Sequence, residues 1–338
     1  MRLKWMTAAG LFAGLFAAEL VGGFGGRTVV SYVDDLGTIA AALAAAVFCL
    51  RAARNQGGRL RTFWGLLAAA LGLWSLGEIL WAVYDLGLGG PVPVPSWADA
   101  AYLSAPPFAA AALLAHPAVH GRTTGKARAV LDGSVIATAL FFVAWTALLG
   151  PLWRSTDLST LGGIVTLAYP ASDVVLLFLV VLVIRGTTSR DRRDLWFLLA
   201  GLAAMTLSDS GYAYLAEVTR YGTGNLVDIG WVAGYIAIAT GAYAARPQPI
   251  ADPLPLKQTL TRAALVAPFV PVLTALTLAA VEIHVTHRLD RVAWTSALVL
   301  VLGVLLRQLL LAVDLYRGSE EETALPDRLL NSLGETRP

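Results

Sequence analysis

"GGIVTLAYPASDVVLLFLVVLVIR", residues 162–185, is apolar at most of its positions and ends on an arginine. Crossing a bilayer's hydrocarbon core as a helix takes roughly 20 predominantly apolar residues, and this stretch is long enough. It also carries Asp173 near its middle, roughly 18 Å from the start of the helix at ~1.5 Å per residue. A charged side chain at that depth costs about 2.5–3.5 kcal/mol on insertion scales. Both features recur along the chain, so the sequence reads as a helical membrane protein that keeps acids inside its spans.

Composition agrees. The chain is 57 % hydrophobic and 14 % charged, where a soluble domain has about 45–50 % and 25 %, so its main solvent is lipid. The formal charge of +2 matters less than where the charges fall. Ten candidate spans are predicted: 5–24, 33–52, 62–84, 97–115, 129–152, 162–184, 195–217, 226–245, 262–283 and 293–316. Basic residues cluster before span one (Arg2, Lys4), after span two (Arg51, Arg54, Arg59, Arg61) and after span four (Arg122, Lys126, Arg128). They cluster again after span six (Arg185, Arg190, Arg192, Arg193) and after span eight (Arg246, Lys257, Arg262). The alternate loops hold only Arg27, Arg154, Arg220, Arg288 and Arg291. Positive charge on every second loop is the pattern of cytoplasmic loops, which places both termini in the cytoplasm. The first span has the basic start of a signal peptide, but Glu19 interrupts its apolar run and we expect it to be retained. Arginine far exceeds lysine, which occurs only at 4, 126 and 257, as in a GC-rich bacterial genome. The expected location is a bacterial plasma membrane.

Spans three and four resemble spans seven and eight. "RTFWGLLAAALGLWSLGEILWAVYDL" lies over "RDLWFLLAGLAAMTLSDSGYAYLAEV", and "WADAAYLSAP" over "LVDIGWVAGY", at an offset near 130 residues. Four spans separate the copies, so the repeats are parallel, an arrangement found in transporters. The expected organisation is a first four-helix repeat (1–117), a second (118–247), a Pro-rich cytoplasmic linker (248–261), a transmembrane hairpin (262–317) and a short cytoplasmic tail (318–338).

In this topology the acids favour the outer half of the bundle: Glu78, Asp99, Asp173, Asp209 and Asp228, with Asp34 and Asp35 opening span two. Helical spacing sets aromatics beside them. Trp74, Glu78, Trp81 and Asp85 share a face, Asp209 and Tyr212 are three apart, and Tyr169 and Asp173 are four apart across Pro170. Asp228, Trp231 and Tyr235 form one stripe and Asp99, Tyr102 and Pro106 another. Asp99 and Asp228 can serve as helix N-caps. Glu78, Asp173 and Asp209 lie too deep for capping, which leaves a structural network with tyrosines, Ser208 and Ser210, or an outward cavity for a proton, a cation or a small molecule. No basic residue lies at matching depth; Arg307 in span ten is expected to snorkel to the cytoplasmic end. The candidate site is Glu78, Asp173, Asp209, Asp99 and Asp228 with Trp81, Tyr169, Tyr212 and Trp231.

"EIHVTHRLD" sets Glu282, His284, His287 and Asp290 within nine residues. Histidines at i and i+3 can share a metal or respond to external pH, but a polar loop accounts for them as well. The single cysteine, Cys49, excludes an intrachain disulfide or thiolate cluster. Zincin, Walker, nucleophile-elbow and dinucleotide fingerprints are all missing, so no enzyme activity and no cofactor are expected. The basic residues form short topogenic clusters, with no nucleic-acid surface.

The segments "PSWADAAYLSAPPFAAAALL", "VLDGSVIATALFFVAW", "LAYPASDVVLLFLVV", "LLAGLAAMTLSDSGYAYL" and "LVDIGWVAGYIAIATGAY", spanning roughly 95–243, follow in an order that resembles a multi-pass input region of bacterial signalling proteins. In that family the region precedes diguanylate cyclase, cyclic-di-GMP phosphodiesterase or histidine kinase domains. The resemblance implies a sensory module; "LRQLLLAVDLYRG" begins like the family's signalling helix, yet no GGDEF, EAL or kinase motif follows. The sequence is therefore read as a ligand-binding input protein working through a separate cytoplasmic partner. A proton- or cation-coupled transporter is the alternative.

Overall fold

The computed structural model describes residues 2–88, 92–120, 126–155, 159–187, 193–217, 221–245, 269–286 and 289–334. Among these residues the regular structure is all helical. The helices are α1 (Arg2–Gly22), α2 (Gly26–Arg54), α3 (Gly58–Ala82), α4 (Trp97–Ala115), α5 (Lys126–Ala144), α6 (Gly150–Ser155) and α7 (Leu161–Gly186). They continue as α8 (Arg193–Glu217), α9 (Asp228–Ala244), α10 (Phe269–Thr286) and α11 (Arg291–Gly334). A π-helical turn extends α3 over Val83–Gly87, and another joins α5 to α6 over Trp145–Leu149. The expected linker at 248–261 lies outside the described residues.

Among the described residues six helices are long and apolar enough to cross a membrane: Lys4–Gly22, Gly26–Arg54, Gly58–Gly87, Trp97–Ala115, Leu161–Ile184 and Arg291–Leu310. Gly133–Ala147 and Val272–His284 are shorter apolar helices. The expected seventh span loses apolar length to Ser208, Asp209, Ser210 and Tyr212 in α8, and the eighth, α9, has 17 residues. Leu15, Val47, Leu207, Leu302 and Leu309 are among many large apolar side chains left exposed. A surface so apolar requires lipid around it. This is a helical membrane protein.

The chain divides into two compact units, residues 1–122 with 147–258, and 123–146 with 259–338. In the first unit the helices contact one another in a closed order, α2–α3–α4–α7–α8–α9 and back to α2. Helix α1 lies against α2 and α9, where Trp5 packs on Phe48 and Tyr243 and donates to Thr240 Oγ1 at 3.2 Å. This grouping differs from the expected domains, because α5, read as the opening helix of the second repeat, packs against α10 and α11 instead. Its inward side carries Val135, Ala139 and Phe142, which meet Val272, Ala275, Ala293 and Leu300 in a separate small core.

Small residues let the ring close. Ala41, Ala42 and Ala45 of α2 and Ala105, Ala109 and Ala112 of α4 are buried, and association in lipid relies on such close backbone approach. At the α8–α9 crossing a Cβ on Gly201 would stand 2.8 Å from the Gly234 carbonyl oxygen, and one on Gly234 2.9 Å from that of Gly201. The ring is layered along its length. One half is a dry core of Phe63, Trp64, Leu67, Leu176, Val180, Leu195, Leu198 and Ile238. The other half holds the acids.

Candidate functional site

The polar half is assembled from the last turns of α3 and α8, the first turns of α4 and α9, the first half of α7 and the ninth and tenth residues of α2. Glu78 is its centre. It accepts from Tyr102 Oη of α4 and from Tyr235 Oη of α9, each at 2.9 Å. Because α9 is not a ring neighbour of α3, the Tyr235 bond crosses the inside of the ring. Gly77 makes room for Tyr102, whose ring a Cβ there would overlap.

Around Glu78 the other acids pair with aromatic donors or with each other. Tyr169 Oη donates to Asp99 Oδ1 at 2.7 Å, and the Tyr169 ring lies 6.4 Å from Tyr102. Trp231 Nε1 donates to Asp209 Oδ1 at 2.7 Å. The Asp209 carboxyl lies beside that of Asp173, whose Oδ2 is sealed from solvent without a donor. From Trp231 the contacts run on through rings, Trp231 to Tyr212 at 6.1 Å, then Tyr212 to Tyr221 at 4.6 Å and to Trp81 at 6.2 Å. Tyr221 Oη then donates to Asp228 Oδ1 at 3.1 Å. Burial, reinforced by the Asp228 carboxylate, pushes the Tyr221 phenol well above its ordinary pKa, so it stays a donor there.

The contacts set the nine residues of the candidate site in two groups: Glu78, Asp99 and Tyr169 about Tyr102, and Asp173, Asp209, Trp231, Tyr212, Trp81 and Asp228 linked through Tyr221. What each does differs in places from the sequence reading. Asp99 is not itself an N-cap. Ser96 caps α4, accepting from Asp99 N at 3.4 Å, while Asp99 Oδ2 accepts from Ser96 N at 2.6 Å, a reciprocal capping box. Asp228 likewise reaches back, its Oδ2 accepting from Asn225 N at 2.6 Å. Ser208 and Ser210 do not serve the acids, since they donate to the carbonyls of Val227 and Thr206 at 2.5 and 2.7 Å. Arg307 is buried rather than snorkelling. Tyr102 and Tyr235, present in the sequence only as members of helical stripes, prove to be the partners of Glu78. Asp34 and Asp35, expected at the mouth of span two, are buried at 4 % and 5 % exposure.

The histidine segment has a separate fate. His284 is exposed and His287 lies outside the described residues. Asp290 caps α11, accepting from Ala293 N at 2.7 Å, and also takes Trp145 Nε1 at 3.0 Å. No group of His, Cys, Asp or Glu among the described residues is gathered closely enough to hold a metal ion. A groove of about 510 Å³ runs along α5 and α11 in the second unit, lined mainly by Ala137, Phe141, Val292 and Val299 with Arg291 at its edge. It includes none of the acids.

Comparison of the chain with protein-family models, with curated proteins and with solved structures found no match.

Proposed function

We propose that this chain is a multi-pass signal-input protein of a bacterial plasma membrane, binding a small molecule or cation on the acidic and aromatic face inside the ring. Ten helices cross the bilayer in this reading, both termini are cytoplasmic, and the acidic end of the ring opens outward. A separate cytoplasmic protein receives the signal, as the resemblance to input regions of bacterial cyclases, phosphodiesterases and kinases implies. The observation that carries the reading is the placing of Glu78, Asp173 and Asp209, from α3, α7 and α8, in the polar half of the ring, where aromatic donors meet Glu78 and Asp209 and Asp173 lies beside Asp209. Ionisable groups held at such depth mark sites of function in membrane proteins.

Matched contacts support an internal duplication. The aromatic residue six positions into α4, Tyr102, bonds the acid of α3, and its counterpart 129 residues on, Trp231, bonds the acid of α8. Ser96 N to Asp99 and Asn225 N to Asp228 repeat at the same offset, both at 2.6 Å. A ligand that neutralises these carboxyls shifts the ring between two packings only if it favours one of them.

The neighbouring carboxyls of Asp173 and Asp209 also suit a proton- or cation-coupled carrier. Proteoliposomes separate the two. The sensory reading expects no counterflow and no proton uptake, with wild-type chain and Asp209→Asn alike. Uptake that disappears with Asp209→Asn would replace it by the carrier reading.

A further inference from the structure

The groove of about 510 Å³ along α5 and α11 lies wholly within the second unit. Ligand sites occupy roughly 300–1,000 Å³, so it is large enough to hold one. Small side chains create it. Ala137 is half-buried and Ser296 buried where the two helices meet, while Phe141, Val292 and Val299 are exposed and form its sides. Its hydroxyls are spent on their own helices: Thr138, Thr295 and Ser296 donate to the carbonyls of Ser134, Arg291 and Val292. Along its length the groove therefore offers a hydrocarbon surface.

One end is charged. Arg291 stands at the boundary of the apolar stretch Arg291–Leu310, and Trp294, one turn further on, is 59 % exposed, as tryptophans at a membrane interface are. Arg291 is exposed, and among the described residues its guanidinium has no hydrogen-bond or ion-pair partner. The carboxyl of Asp290, next to it in the chain, is taken by Ala293 N and the Trp145 indole. From Arg291 to Val299 the helix covers about 12 Å at ~1.5 Å per residue. One leaflet of hydrocarbon is roughly 15 Å deep, half of a bilayer core. A free cation at the interface thus heads an apolar channel about one leaflet long. Guanidinium binds phosphate through paired N–H donors, and it repels the cation of a zwitterionic choline headgroup.

We propose that this groove binds an anionic phospholipid, with its phosphate on Arg291 and one acyl chain lying along Phe141, Val292 and Val299. The inference needs only that the chain is a helical membrane protein and is independent of what the acidic face of the first unit binds.

The test is native mass spectrometry of the full chain in detergent micelles, titrated with phosphatidylglycerol and, separately, with phosphatidylcholine of the same acyl chains. Saturable uptake of phosphatidylglycerol is expected, at least ~10-fold tighter than that of phosphatidylcholine. Arg291→Gln removes this preference, while Arg27→Gln, in the first unit, leaves it unchanged. Ala137→Leu fills the groove, and each of Ala137→Leu and Val299→Phe weakens phosphatidylglycerol at least ~10-fold. Val299 is 50 % exposed, so its variant narrows the groove from outside the helix packing. Glycerol phosphate, a headgroup without chains, does not compete. Equal affinity for the two lipids, or a preference that survives Arg291→Gln, overturns the proposal. A preference untouched by both groove variants, or competition by glycerol phosphate, overturns it too, because the acyl chain then plays no part. So does a chain that dimerises and takes up neither lipid, in which case a second copy covers the groove.

Discussion

Replacing Tyr235 by phenylalanine deletes one hydroxyl from the middle of the ring and leaves the packing otherwise intact. Tyr235 is 1 % exposed and its hydroxyl lies 2.9 Å from Glu78 Oε1. Hydrogen bonds between helices in a bilayer average about 0.6 kcal/mol and reach about 1.7, while those to a charged group in water-soluble proteins reach about 1.5–3. Glu78 keeps its bond from Tyr102 in the variant, so a loss of ~1 kcal/mol is expected. Tyr102→Phe should cost a similar amount. The double variant leaves a carboxyl in the ring with neither donor, and its cost should exceed the sum of the singles by about 0.5 kcal/mol or more. That excess should vanish in a Glu78→Gln background, where no charge is left bare. Equilibrium unfolding in bicelles by steric trapping measures all of these, with Tyr214→Phe as the control, since Tyr214 is 65 % exposed. Strict additivity, with every variant as mild as the control, would refute the argument that two hydroxyls jointly hold Glu78.

Gly77→Ala sets a methyl group into the Tyr102 ring and should destabilise by about 1–3 kcal/mol; the same unfolding assay in a Tyr102→Ala background should find the penalty largely gone. Asp173→Asn should be neutral or stabilising, because it removes one of two carboxyls buried side by side and supplies an amide donor where Asp173 Oδ2 has none. Asp209→Ala strands the Trp231 indole N–H and should cost about 1–3 kcal/mol. In the second unit, Asp290→Ala removes the cap of α11 together with the acceptor of Trp145. It should cost about 1–2 kcal/mol and shift tryptophan emission to the red.

The helical membrane class was legible because it depends on local quantities, apolar length and charge spacing, which survive any tertiary arrangement. The same holds for the positions of the acids along their helices. Tyr169, Tyr212 and Trp231 were legible as neighbours of carboxyls, although Tyr169 bonds Asp99 on α4 rather than Asp173 on its own helix. Residues four apart on one helix share a face, but their polar ends can turn to different partners. The Glu78–Tyr235 bond spans 157 residues of chain and exists only because α9 returns to pack on α2, a closure that no periodicity encodes. The burial of Asp34 follows from that closure too, since it meets Asp228 at the start of α9. At Ser96 the Ser-x-x-Asp spacing of a capping box was present in the sequence, and it identifies Ser96 rather than Asp99 as the cap. Helix α5 separates from the second repeat for a similar reason, because its apolar positions suit α10 and α11 equally well by pattern.

Cysteine labelling tests the central claim, an acidic interior of the ring that is reached from outside. Cys49 is buried and is replaced by alanine. Single cysteines at Glu78 and Asp209 are compared in intact cells with cysteines at Ile79 and Leu207, which are exposed on the apolar surface at 39 % and 74 %. A membrane-impermeant maleimide should modify 78 and 209 and spare 79 and 207. Modification of 79 and 207 with none at 78 and 209 would contradict the account.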